Sequence, residues 1–430
     1  MSLFAKLRAG VTRRINLWRA VALAVVLTLP ALGGGRVLDD FVHYAMRAED
    51  APPDIARDPF DMYRIPPAPE HHQAARDAGR LPWYAARGFD YRLMRPLSSL
   101  TLALDQALWR DSPVVAHAHS LLWYAALILL VGLFYRQMMP TPTLAAFAAV
   151  LYAIDDAHGF AVGWIANRHA IISLVFAAVA LLAHIRWRRD GWRPGGWIAP
   201  VALAVGLLAG ETALAITAYL FAYALFFENG RWTRRLATLV PAALVCVVWR
   251  IAYSLLGYGV GSSASYVDPV RDPLRFVTSA VERLPLLFQG LLTPVQSDFY
   301  LYVPPGLLPV LAGIVGGGVV LFVVLIWPLL KTDRLAAFWA TATVISLLPA
   351  CATHASDRNL LAASIGGMGL IAQLIARHAE QGEHDDEAQR PPEKTQQYPA
   401  NGHGAVRAAS RPGPLPFSIV HTSEEATGET

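Results

Sequence analysis

The chain has 430 residues, of which 55% are hydrophobic and 16% charged, against roughly a quarter charged in soluble domains. With a mean hydropathy of +0.38, this composition excludes a soluble globular protein and indicates an integral membrane protein. The net charge of +4 makes no case for nucleic acid, because the arginines gather in short segments between apolar stretches, where they set topology. The two cysteines, Cys246 and Cys351, lie in or beside apolar stretches and offer neither a disulfide framework nor a zinc cluster.

In chain order, a basic N-terminus leads into an apolar stretch from about Ile15 to Leu32. No small-residue cleavage motif follows it, so an uncleaved first helix is expected. Apolar windows suited to about 30 Å of hydrocarbon lie at 15–33, 113–135, 141–156, 168–187, 197–211, 212–228, 235–257, 306–330, 335–350 and 359–377. They predict an all-α, polytopic transmembrane helix bundle of about ten spans. The basic sets between them are Lys6, Arg8, Arg13 and Arg14; Arg136; Arg186, Arg188, Arg189 and Arg193; Arg231, Arg234 and Arg235; Lys331 and Arg334; and Arg377. A cytoplasmic N-terminus puts every set inside, as the positive-inside rule requires, with the C-terminus on the same side.

Two of the outward loops are long, 36–112 and 258–305. In the first, RPLSSLTLALDQALW opens with a proline suited to a first helical turn and repeats Leu97, Leu100, Leu104 and Leu108 at helical spacing, with Asp105 off that stripe. This predicts an amphipathic helix lying in the membrane interface. In the second, FVTSAVERLPLLFQGLL is another interfacial candidate. Residues 1–377 read as one transmembrane domain, and 378–430 as a polar, disordered cytoplasmic tail. No internal repeat is present, which weighs against a secondary transporter.

That topology gathers polar residues on the outer face: Asp39 and Asp40 in VLDDFVH, Arg95, His117 and His119, Asp155, Asp156, His158, Arg168, His169, Glu211, His354, Asp357 and Arg358. Loop charges commonly do no more than solvate helix ends, and a His-x-His pair without a third donor is weak for metal. Asp155 and Asp156 read as structural. Glu211 differs, since a carboxylate in the apolar hairpin GLLAGETAL needs a cation such as Arg168 or Arg358. Chemically, the set combines a carboxylate able to take a proton from a hydroxyl with arginines able to hold a phosphate. A lipid-linked sugar phosphate would need both.

The ordered elements DDF, RPLSSLTLALDQALW, HAHSLLWY, LYAIDDAHGFAVGWIANRHAIIS, LLAGETAL and SDRNLLAAS resemble the GT-C superfamily of polytopic glycosyltransferases. The likeness is to the protein O-mannosyltransferase-like branch that includes tetratricopeptide-containing mannosyltransferases, and it covers about residues 15–377. The resemblance implies that Asp40, with Asp39 as second choice, is the catalytic base or helps place a divalent cation, Mg2+ or Mn2+. It implies that Arg358 and Arg95 contact the donor phosphate, with Glu211, Arg168 and His158 in support. Three features depart from the family pattern. Asp155 and Asp156 stand where His-Pro is common, Gly210 replaces the lysine of a Lys-Glu pair, and no tetratricopeptide repeats follow.

The function expected is transfer of a sugar from a polyprenyl-phosphate carrier to a protein, lipid or polysaccharide acceptor, with inversion, at the outer face of a bacterial inner membrane. The rivals are a transporter of a lipid-linked or anionic solute and a non-catalytic membrane scaffold.

Overall fold

The structure is a computed structural model and describes residues 17–48, 51, 57–65, 73, 77, 90–109, 112–261 and 265–388. The described helices are α1 (Leu17–Thr28), α2 (Asp39–Ala45), α3 (Pro96–Trp109), α4 (Pro113–Met138), α5 (Pro142–Ala153), α6 (His158–Gly163), α7 (Arg168–Asp190) and α8 (Gly195–Ala209). They continue with α9 (Ile216–Phe226), α10 (Trp232–Ala237), α11 (Val240–Leu255), α12 (Pro273–Leu292), α13 (Leu308–Thr332), α14 (Arg334–Leu347) and α15 (Leu361–Ala388). Several starts are written as a capping side chain followed by proline. Ser112, Thr141 and Asp272 each accept a first-turn backbone N–H at 3.5, 3.2 and 3.2 Å, and a proline fills the next position.

Each apolar window of the sequence falls on a helix. Four helical stretches are long and apolar enough to cross a membrane: Pro113–Met138, Ile165–Asp190, Pro305–Thr332 and Arg334–Ala352. Leu17–Gly33, Pro142–Ala153, Gly195–Ala209, Glu211–Phe226 and Val240–Leu255 are apolar but shorter. α13 is the least covered, leaving Val310, Ile314, Val320, Leu321, Val324 and Leu325 exposed. An apolar face of that extent belongs against lipid rather than water. α15 runs on through Ala388, so the beginning of the stretch expected to be a disordered tail is helical. Positions 389–430 lie outside the described residues.

The fold is not purely helical. β1 (Arg64–Ile65), β2 (Asp90–Arg92) and β3 (Gly259–Gly261) form a small antiparallel sheet in the order β1-β2-β3, with Tyr91 opposite Val260. It stitches the first long loop to the second. Strands of two or three residues, one of them GVG, carry no alternating pattern for sequence reasoning to detect.

α3 places Leu100, Leu104 and Leu108 outward and Ser98, Ser99, Leu102, Ala103 and Asp105 inward. Ser98 Oγ donates to Ala209 O at the end of α8 (2.8 Å), and Ser99 Oγ accepts the Met62 N–H (3.2 Å). The helix is therefore held by its polar face and offers its apolar stripe to the surroundings, as an interfacial helix does. α12 does likewise, with Leu274, Val277 and Val281 exposed and Leu287 and Leu291 buried.

Asp105 meets Arg168, whose guanidinium is fully buried. Arg168 Nη1 donates to Asp105 Oδ2 (2.6 Å), Nε to Ser120 Oγ (2.8 Å) and Nη2 to Ala116 O (2.5 Å). Trp123 Nε1 donates to His119 Nε2 (3.0 Å), which leaves the imidazole proton on Nδ1 to be donated to Asp105 Oδ1 (2.7 Å). The network ties α3, α4 and the start of α7 together.

At the far side of the core, three tyrosine hydroxyls bond to carbonyls at the start of α15. Tyr135 donates to Ile365 O (2.6 Å), Tyr152 to Leu361 O (3.0 Å) and Tyr219 to Ala362 O (2.6 Å). These bonds fix the segment that precedes α15.

Removing one partner of a buried ion pair leaves the other charge unanswered. Asp105→Ala is expected to cost about 3–5 kcal/mol, read as a lowered thermal midpoint of the detergent-purified protein, with the double variant Asp105→Ala/Arg168→Met recovering part of the loss.

Candidate functional site

The candidate site lies where α2, the segment 61–65, the start of α3, the turn Ile165–Asn167, the hairpin at Gly210 and the segment 353–360 meet. The hairpin is held by Ser173 on α7, whose hydroxyl donates to Gly210 O (2.6 Å) and accepts the Ala213 N–H (2.8 Å). This places Glu211 against Arg95, and Arg95 Nε donates to Glu211 Oε2 at 2.8 Å. The expectation that Glu211 needs a cation is met, but the partner is Arg95 rather than Arg168 or Arg358. Arg168 is committed to Asp105.

Arg95 is also positioned from below, with its guanidinium 4.9 Å from the Tyr63 ring centroid. Tyr63 donates its hydroxyl to Ala166 O (2.6 Å) and packs edge-on against His43 (4.9 Å) and His169 (5.5 Å). Burial lowers the pKa of His43 to about 3, with the Arg95 charge adding to the effect. Tyr63 is absent from the sequence-derived candidates. Nothing in DMYRIPP distinguishes its tyrosine from an interfacial one.

Burial raises the pKa of both Asp39 and Asp40, and it is their hydrogen bonding that separates them. Asp40 is buried, and both carboxylate oxygens are engaged: Oδ2 accepts the Val37 N–H (3.0 Å) and Oδ1 the Ala166 N–H (2.6 Å). It pins the turn Ile165–Asn167 to α2. Asp39 accepts no hydrogen bond and makes no ion pair among the described residues. Burial raises its pKa above the ordinary carboxylate value, while the positive charges of Arg358 and then Arg95 pull it back. Of the two, Asp40 is the one engaged by backbone N–H groups. Leu38, immediately before them, has φ of 48°. A leucine there is strained by about 1–3 kcal/mol, and such strain gathers where a backbone must present a particular group.

Arg358 lies 5.0 Å over the Trp164 ring and pairs with no carboxylate among the described residues. Its neighbour Asp357 is anchored, accepting the Ser297 N–H (2.7 Å) and hydroxyl (2.5 Å). Burial raises the pKa of Asp357. A Cβ at Gly290 would fall 2.1 Å from Ser297 Oγ and 2.4 Å from Asp357 Oδ1, so this close approach requires glycine. The pKa of His354 is lowered to about 4 by burial and by Arg358.

His158, the third expected supporting residue, is fully buried and bonds to the Tyr124 hydroxyl through Nδ1 (3.0 Å), with the Tyr152 ring 4.5 Å away. Asp155 caps the turn before it by accepting the Ala157 N–H (3.1 Å). His117 donates to Gly35 O (2.7 Å), steadying the chain that leads to the aspartates. A cleft of about 440 Å³ opens beside Asp40, lined among others by Arg36, His43, Tyr44, Gln106 and Ser112. Asp39, Arg95 and Arg358 do not line it.

No three His, Cys, Asp or Glu side chains come together as a metal-ligand group among the described residues. Each Asp40 oxygen already accepts one backbone N–H, whereas the Asp39 oxygens accept none among the described residues.

Compared with protein-family models, with curated proteins and with solved structures, the chain finds no match.

The two aspartates are expected to behave oppositely. A carboxyl whose pKa is raised on folding costs stability once pH exceeds its unfolded value, fully so above the folded pKa. Asp39→Asn should therefore raise the unfolding midpoint at neutral pH, by a margin that shrinks as pH falls through the folded pKa. Asp40→Ala leaves two backbone N–H groups without their acceptor, at about 1–3 kcal/mol each, and should lower the midpoint at every pH tested.

Proposed function

We propose that the protein is a membrane glycosyltransferase that moves one sugar from a polyprenyl-phosphate carrier to an acceptor hydroxyl. The observation that carries this reading is Asp39, a half-buried carboxylate with no hydrogen-bonding partner among the described residues, close enough to Arg358 and Arg95 to feel their charges. The motif resemblance to GT-C enzymes supports it independently of geometry.

In this mechanism Asp39 accepts the proton of the acceptor hydroxyl as its oxygen attacks the anomeric carbon. The bond from that carbon to the phosphate oxygen breaks on the opposite face, so configuration inverts, and polyprenyl phosphate departs with the electron pair. Arg358 and the terminal nitrogens of Arg95 meet the developing negative charge. Glu211 and Tyr63 position Arg95. A carboxylate raised toward neutrality is a better base at working pH than an ordinary one.

The membrane placement proposed is a bacterial inner membrane with about ten crossings, both termini on the cytoplasmic side. The shorter apolar helices contribute crossings where 3₁₀ turns extend them, as in Leu17–Gly33 and Glu211–Phe226. α7 begins at the site with Arg168 and ends in Arg188 and Arg189. That polarity supports a site on the face opposite the basic segments. The exposed stripes of α3 and α12 would lie at the lipid surface from which a carrier arrives.

The test is transfer of labelled sugar from a polyprenyl-phosphate donor by purified protein in lipid vesicles. Asp39→Asn is expected to lose about 100- to 10,000-fold in rate and Arg358→Ala about 100- to 1,000-fold, both with membrane insertion intact. Full activity of Asp39→Asn would overturn the mechanism.

A further inference from the structure

At the end of the bundle away from Asp39, a second, shallow groove lies between α7, α8, α9 and α11. It is lined by Trp187, Pro200, Leu203, Leu220 and Ala242, with His184 among them. The lining is apolar apart from two groups. Thr238 is satisfied, donating its hydroxyl to Arg235 O (2.6 Å). His184 is not: it is 3% exposed, and its Nε2 is buried without a hydrogen-bonding partner.

The chain segments that flank the lining residues, 186–193 and 231–235, are strongly basic. Arg188 is answered by Glu228 through two bonds of 2.6 and 2.9 Å, and Arg189 pairs with Asp190 (2.8 Å). Arg186, Arg193, Arg231 and Arg234 are exposed and have no carboxylate within ion-pair distance among the described residues. Arg186 stacks on Trp192 (5.0 Å) and Arg188 on Trp187 (4.9 Å). Trp197 and Trp232 are exposed at 62% and 54%, as tryptophans are at a membrane interface.

We infer that this groove binds an anionic glycerophospholipid of the leaflet at that end. The uncompensated arginines complement a phosphate. His184 lies four residues inside Arg188 on α7, about 6 Å deeper along the helix, where the glycerol ester oxygens sit beneath a bound headgroup phosphate. There Nε2 acquires its missing partner. Pro200, Leu203, Leu220 and Ala242 receive the first part of an acyl chain. A neutral lipid fills the apolar part of the groove but leaves the arginines unanswered. This inference rests on the membrane placement and not on sugar transfer.

The full-length protein, purified in neutral detergent and stripped of lipid, is titrated with phosphatidylglycerol or phosphatidylcholine while its thermal midpoint is followed. Phosphatidylglycerol is expected to raise the midpoint of the wild type saturably, and phosphatidylcholine to have little effect. Arg193→Gln/Arg234→Gln, both at exposed positions, should lose most of that rise. Ala242→Phe, which fills the groove, should lose it with the arginines intact. Lys331→Gln/Arg334→Gln, on the connection between α13 and α14, should keep it. Equal stabilisation by the two lipids, an unchanged response in Arg193→Gln/Arg234→Gln, or an equal loss in Lys331→Gln/Arg334→Gln would overturn the inference.

Discussion

A fully buried guanidinium has to be answered on every nitrogen, and meeting that demand at Arg168 organises the outer end of this protein. Asp105 from α3, Ser120 and Ala116 from α4, and the start of α7 converge on it. Because α3 must turn Asp105 and its serines inward, Leu100, Leu104 and Leu108 are left facing out, as on an interfacial helix. The same packing sets the position of Arg95, immediately before α3, and of the turn Ile165–Asn167, immediately before Arg168. Two residues that look alike in sequence, Arg95 and Arg168, thus divide the labour: one holds helices together and the other keeps nitrogens available.

The aspartate pair shows the same division within a single helical turn. Neighbouring residues on a helix point about 100° apart, so Asp39 and Asp40 cannot share one environment. Asp40 is turned toward the backbone of Ala166 and is consumed by it. Asp39 feels the charges of Arg358 and Arg95 without bonding to either. Fixing one carboxylate orients the other, and the strained backbone at Leu38 is where the chain turns sharply enough to allow both. Arg358, in turn, is held from behind: Asp357 is locked to Ser297, and α15 is pinned by three tyrosine hydroxyls.

Much of the helical architecture is legible in the sequence. The apolar windows coincide with helices, the cap-proline pairs mark starts, and the spacing of Leu100, Leu104 and Leu108 identifies α3 and its outward stripe. What is not legible depends on long-range juxtaposition. The bond between Arg95 and Glu211 joins residues 116 positions apart, and no local pattern distinguishes Arg95 from Arg168 as the partner. The choice between Asp39 and Asp40 turns on backbone N–H groups, which sequence does not display. Tyr63 and Gly290 matter through what approaches them. The small sheet is missed because its strands are too short for periodicity.

In the proposed reaction, Arg358 and Arg95 hold the phosphate of a lipid carrier and Asp39 lies on the opposite side of the sugar. The most direct measurement is an electron cryomicroscopy structure in lipid nanodiscs with a non-transferable polyprenyl-phosphate sugar bound. Phosphate oxygens are expected about 2.7–2.9 Å from guanidinium nitrogens of Arg358, with the Asp39 carboxylate facing the anomeric carbon across from the leaving oxygen. A phosphate seated instead in the cleft beside Arg36 and Asp40, with Arg358 untouched, would contradict it.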